Sequence, residues 1–197
     1  MTQSQLEFND EGWPVVKPSD CAIAFGIPVS LEDFQRKPAH GFARQFRQSN
    51  GRIERFVADY ELTSGVMKDC QACVITNLTL ERFGDLFHRH QVVILFSHVE
   101  KSSMEFADGL VEIERVVQQI PEKFDGILDI TMCFSRNLFR DLKRERPKCS
   151  PFYATEESLD AQAWLFFYKA LFMYLKHREL SYPEASKDLA RGFLGKV

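Results

Sequence analysis

Two short apolar runs bracket a helical segment in the middle of the chain, and this arrangement limits the possible folds more than any other feature. The first is Gln91-Val92-Val93-Ile94-Leu95-Phe96-Ser97-His98, and the second is Gly126-Ile127-Leu128-Asp129-Ile130-Thr131-Met132-Cys133. Continuous apolar runs of this length suit parallel strands covered on both faces. Between them, Leu110 or Val111, Ile113, Val116, Val117 and Ile120 recur at helical spacing until Pro121 closes the segment. Strand, helix and strand make a βαβ unit, whose crossover is right-handed in nearly all proteins. In an open α/β sheet the crevice lies beyond the carboxyl ends of the strands. His98 ends the first run and Cys133 the second. If the strands are neighbours, about 4.8 Å apart, an imidazole and a thiol share one rim. That pairing turns a thiol into a nucleophile, because a nearby imidazole or helix N-terminus raises the thiolate fraction.

The remaining elements fit around this unit. Residues 1–20, with Trp13-Pro14 and Lys17-Pro18, read as an extended N-terminal arm, and residues 21–197 as a single α/β domain. Residues 21–27 read as a strand stopped by Pro28, with Ser30 capping a short helix from Leu31 that Pro38 and Gly41 break. Residues 53–62 fit helix or strand equally. Residues 72–78 read as a strand, and Thr79 or Asn77 then caps a helix through Phe87 that feeds the strand at Gln91. Residues 99–103 form a polar loop, and residues 104–109 a small hairpin or turn. Beyond Cys133, residues 134–143 read as a helix whose N-terminus points at the thiol. Residues 150–154 suit a last strand. The longest helix is expected from Glu156, with Trp164, Leu165, Tyr168, Leu171, Phe172 and Leu175 on its inner stripe. Ser181-Tyr182-Pro183-Glu184 is a capping box for a final helix to about Gly192.

Composition narrows the class of protein. A chain of 197 residues, 45% of them hydrophobic, supports one substantial core. Its net charge of -3 gives no global argument for nucleic acid or an anionic membrane. Residues 1–9 lack the regions of a signal peptide, and no apolar run approaches the roughly 20 residues of a membrane span. A cytoplasmic protein without membrane attachment is expected. The five cysteines, Cys21, Cys70, Cys73, Cys133 and Cys149, are an odd number at irregular spacings, so reduced thiols are expected.

The quoted strand ends, together with Phe106-Ala107-Asp108-Gly109 and Phe124-Asp125-Gly126 leading into the second strand, resemble the caspase-like CHAT cysteine proteases of the caspase and gingipain clan. The tail, an aromatic-rich helix over residues 161–175 followed by a second helix around Tyr182-Pro183-Glu184-Ala185, also looks like that family. The likeness covers roughly residues 70–192, and its specific part is the two strand ends. It implies a three-layer α/β sandwich with a mostly parallel sheet and a cysteine endopeptidase activity. His98 would be the general base, Cys133 the nucleophile, and the backbone amides of Val99 and Cys133 the oxyanion donors. No cofactor is implied. The expected partners are a protein or peptide substrate and a regulatory protein. Val99 stands where the family usually carries glycine, so a catalytically degenerate fold serving as a protein-interaction module is the alternative.

Arg136, Arg140, Lys143, Arg144, Arg146 and Lys148 form the densest basic run, read either as a solvated face or as a dock for an acidic substrate, with Arg136 and Arg140 as the candidate contacts. Residues 41–55 interleave Arg44, Arg47, Arg52 and Arg55 with phenylalanines; inward aromatics explain this better than nucleic-acid stacking, and a nucleic-acid role stays a third reading. Cys70-Gln71-Ala72-Cys73 precedes a strand, unlike a redox motif that opens a helix. With His88 and His90 it could bind zinc if the strands at residues 72 and 91 are adjacent, although the spacing matches no common zinc signature. His40 and His177 read as surface residues.

Overall fold

The computed structural model of the chain describes residues 15–36, 41–48, 52–131, 135–154 and 160–194. Strand β1 (Cys21–Phe25) is buried at every residue. The chain then runs through α1 (Leu31–Arg36), α2 (Gly41–Gln48) and α3 (Ile53–Asp69) to strand β2 (Cys73–Ile75). The helix expected at Leu31 is present, and the Ser30 hydroxyl caps it by accepting the Asp33 amide at 3.1 Å. The ambiguous segment from residue 53 is helix: Phe56, Val57, Tyr60, Ser64 and Met67 fall on one buried face at helical spacing. Helix α4 (Leu80–Leu86), capped by Thr79, leads to strand β3 (Val92–Phe96).

Beyond β3 the chain makes three short strands, β4 (Val99–Glu100), β5 (Ser103–Phe106) and β6 (Gly109–Glu112), paired as a separate antiparallel sheet. The hairpin expected around residues 104–109 is present as β5 and β6, with β6 running on to Glu112, whereas the polar loop expected over residues 99–103 holds a further strand that pairs with β5. Helix α5 (Ile113–Gln118) consequently starts three residues later than the periodicity from Leu110 implies. Strand β7 (Ile127–Asp129), helix α6 (Arg136–Glu145), strand β8 (Ser150–Phe152), and helices α7 (Ala161–His177) and α8 (Tyr182–Leu194) complete the described chain. Glu156 and Glu157 lie outside the described residues; α7 is capped by Asp160 and equals α3 in length, at 17 residues each.

The main sheet is five-stranded and all parallel, in the order β2-β1-β3-β7-β8. Alternation along the strands sends side chains to opposite faces. Ile23, Phe25, Ile94 and Phe96 meet α1, α2, α3, α7 and α8, whereas Ala22, Ala24, Val93 and Leu95 meet α4, α5, α6 and the small sheet. The result is the expected three-layer α/β sandwich. β8 carries Pro151 at the sheet edge, where its missing N–H costs no ladder bond.

One topological expectation is corrected. β2 does not neighbour β3, because β1 lies between them. The chain places β2 on one side of β1 and then crosses to the other side for β3, so the winding reverses between β1 and β3. A crevice in such sheets lies beyond the carboxyl ends at this reversal. Part of the expected arm is docked on the domain: Val16 is buried and its amide donates to the Leu180 carbonyl at 3.3 Å, next to a bridge between Val15 and Ser181. Residues 1–14 lie outside the described residues.

Candidate functional site

β3 and β7 are hydrogen-bonded parallel neighbours, with Val92 opposite Ile127, Val93 opposite Leu128 and Ile94 opposite Asp129. His98 follows Ile94 by four positions, and Cys133 follows Asp129 by four. Cys133 itself lies outside the described residues, as do Met132 and Phe134. The structure describes both flanks of that segment. On one side, Asp129 is fully buried and accepts the Thr131 amide at 2.7 Å, turning the chain as it leaves β7. The Thr131 hydroxyl in turn accepts the Ala154 amide at 2.9 Å, tying this exit to the end of β8. On the other side, Ser135 caps α6 by accepting the Leu138 amide at 3.4 Å. The N-terminus of α6, rather than a helix from residue 134, therefore begins just after Cys133 in sequence.

His98 stands half-buried at the rim where the winding of the sheet reverses. Helix α2 and strands β4 and β5 close around it. The first turn of α2 brings Gly41 so near that a Cβ there would meet His98 Cδ2 at 2.8 Å and Glu105 Oε2 at 3.0 Å. A methyl group at this position would push the ring or α2 aside. The Phe42 ring lies 6.5 Å from the imidazole, centroid to centroid. From β4, Glu100 binds Arg44 of α2 at 2.9 Å, placing one carboxylate and one guanidinium beside the ring. Burial holds the His98 pKa below the ordinary histidine value; Glu100 works against this and Arg44 adds to it. The ring is thus disposed to be neutral near neutral pH, the form that accepts a proton.

The backbone after His98 is fixed by the small sheet. The His98 carbonyl accepts the Glu105 amide at 2.9 Å, so His98 and Glu105 form the bonded pair and Val99 with Met104 the next, non-bonded one. The Val99 amide therefore points away from β5, toward the open edge that β4 forms in that sheet. The hairpin is seated close to β1: a Cβ on Gly26 would lie 2.3 Å from the Glu105 carbonyl oxygen. Gly26 follows β1 and donates to the Phe96 carbonyl at 3.0 Å, which locks the ends of β1 and β3 together.

The other sequence candidates separate from this rim. Arg140 is exposed and lies 3.4 Å from Asp141, and Arg144 pairs with Asp141 and Glu145. Lys143 sits over the Phe139 ring at 4.6 Å. Arg136 is exposed in the first turn of α6, on the same helix face of charge. Arg146 turns inward, its guanidinium donating to the Ile120 carbonyl at 2.6 Å. Phe42 and Phe56 are buried with Phe34, and Phe46 packs against the same cluster, so the basic residues of α2 surround an inward aromatic group. The adjacency assumed for a zinc site fails because β1 separates β2 from β3, and among the described residues no three His, Cys, Asp or Glu side chains converge as metal ligands. His177 is exposed; His40 lies outside the described residues.

Two functional candidates were not found from the sequence. From the sequence, Asp129 is an ordinary position in a strand, and Glu105 part of a small hairpin or turn. The available signal was a carboxylate inside an otherwise apolar run, Ile127-Leu128-Asp129-Ile130, and an alternating run, Ser103-Met104-Glu105-Phe106. An acid buried in such a place is retained only with hydrogen-bond donors around it.

No protein-family model, curated protein or solved structure matches the chain.

Proposed function

We propose that the chain is a cysteine endopeptidase of caspase-like type, with Cys133 as nucleophile and His98 as general base. The supporting observation is the direct parallel pairing of β3 and β7, the two strands that lead to these residues. In the reaction, His98 takes the Cys133 proton as the sulfur attacks the scissile carbonyl carbon. The oxygen gains the negative charge, and the amides of Val99 and Cys133 are the candidate donors to it. His98 then protonates the departing amine, leaving a thioester that water hydrolyses. The half-buried ring with its lowered pKa suits the first step, and the outward Val99 amide suits the second. A cytoplasmic protein acting on a protein or peptide, under control of a partner protein, fits this reading. Arg136 and Arg140 are candidate contacts for an acidic residue of that substrate.

Selective alkylation tests the dyad. Iodoacetamide should label Cys133 faster than the other thiols, and His98→Ala should remove the advantage. Equal labelling of Cys133 and Cys73 in the unaltered protein would instead assign the fold to a non-catalytic interaction module.

A further inference from the structure

We propose that Glu105 is a positioning residue: its carboxylate, bound by the Phe42 amide, seats the N-terminus of α2 on the His98 ring and holds the imidazole at the rim. The catalytic meaning of this inference rests on the dyad reading above, whereas its structural content does not.

In β5, Met104 and Phe106 enter the core beneath α4 and α5, so Glu105 between them points to the opposite side. That side carries no ordinary place for an acid, since Glu105 is only 2% exposed. The Phe42 amide in the first turn of α2 donates to Oε2 at 2.8 Å. An amide there has no partner within its own helix, and the positive end of the helix favours an ionised carboxylate. The link joins residues 63 positions apart, which neither element could bring about alone.

His98 completes the arrangement from two directions. Its carbonyl accepts the Glu105 amide, so the backbone of the acid is registered against the backbone of the histidine. Its ring edge meets Gly41 at the same point as Glu105 Oε2. Among the described residues, the charged groups near the imidazole are Glu105 from β5, Glu100 from β4 and Arg44 from α2, with Glu100 and Arg44 tied to each other. Glu105 is the most buried of the three, 2% exposed, and its Oε2 shares with the ring edge the point beside Gly41.

Three variants test this: Glu105→Gln, Glu105→Ala and Gly41→Ala. The readouts are the NMR titration of His98 and hydrogen exchange at the Phe42 amide, each in protein whose fold is verified by circular dichroism. Glu105→Gln keeps an acceptor but removes the charge, so Phe42 stays protected while the His98 midpoint falls by about half a unit or more. In Glu105→Ala the Phe42 amide also exchanges about tenfold faster. Gly41→Ala leaves Glu105 intact but wedges α2 away from the ring, and it too exposes the Phe42 amide. The pH profile of Cys133 alkylation should shift with the His98 midpoint in Glu105→Gln. Wild-type His98 titration in both Glu105 variants would overturn the inference. Slow Cys133 labelling in the unaltered protein, with the His98 and Phe42 shifts intact, would overturn the peptidase reading and leave the seating of α2 supported.

Discussion

The Tyr182 hydroxyl donates to Asp129 at 2.6 Å, with both side chains fully buried. This contact joins the first residue of the last helix to the last residue of β7, and Asp129 also accepts the Thr131 amide. The segment that carries Cys133 therefore leaves the sheet from a point anchored by a helix remote in sequence. Tyr182→Phe leaves the carboxylate one donor short at almost constant volume. A loss of about 1–3 kcal/mol in urea unfolding is expected; a loss near zero would mean the bond contributes nothing net.

Asp129 also sets a pH dependence. Burial raises its pKa above the ordinary carboxylate value, against the opposing hydrogen bonds from Thr131, Tyr182 and Tyr168. An acid with a raised folded pKa contributes stability that is fully present below the unfolded value of about 3.9 and is lost as pH rises through the folded value. Asp129→Asn has no such titration. The stability of the unaltered protein minus that of Asp129→Asn should decline as pH increases from about 4. Denaturant midpoints measured in parallel across that range check the sign, and a flat difference contradicts it.

The thiols other than Cys133 provide a quiet background for the alkylation test. Burial pushes Cys149 up to about 12 and Cys21 well above the usual thiol range. Cys70 and Cys73 are raised as well, again chiefly by desolvation, and Cys73 is the most accessible of the four. Peptide mapping after brief iodoacetamide treatment at pH 8 should find Cys73 labelled first among these four and Cys21 and Cys149 last. Cys133 should exceed Cys73 by about tenfold or more if an imidazole and a helix N-terminus favour its thiolate.

Phe56 anchors the aromatic group that holds α2 in place, with ring centroids 5.2 Å from Phe46, 5.6 Å from Phe42 and 6.0 Å from Phe34. Phe56→Ala should cost about 3–5 kcal/mol. The exposed Arg140, by contrast, should cost under about 1 kcal/mol on replacement by glutamine. Thermal unfolding of the two variants side by side separates packing from surface charge. Because the aromatics of α2 face the core, retention on a polyanion column should be weak and should vanish at modest salt.

The local rules were legible in the sequence where a single element answers them. The apolar runs at β1, β3 and β7, the caps at Ser30 and Thr79, and the Ser181–Glu184 box were read from residue type and spacing, and each is present: the Ser181 amide donates to Glu184 at 3.0 Å. Helix from residue 53 was not, because Phe56, Val57, Tyr60 and the residues between them suit either period until a neighbour selects one face. The start of α5 was misjudged for a related reason: Leu110 and Val111 satisfy a helix pattern, yet pairing with Glu105 and Met104 makes them strand.

The sequence alone determined that the chain alternates apolar strands with amphipathic helices and that a histidine follows one such strand, since hydrophobic periodicity and capping are local properties. Tertiary structure decided that β1 separates β2 from β3, that β3 lies beside β7, and that Gly41, Glu105 and His98 meet at one point. Those outcomes depend on which faces bury together and on which distant amide can satisfy a buried acid. Such choices belong to the assembled chain, where burial is shared among elements far apart in sequence, and no window of neighbouring residues contains them.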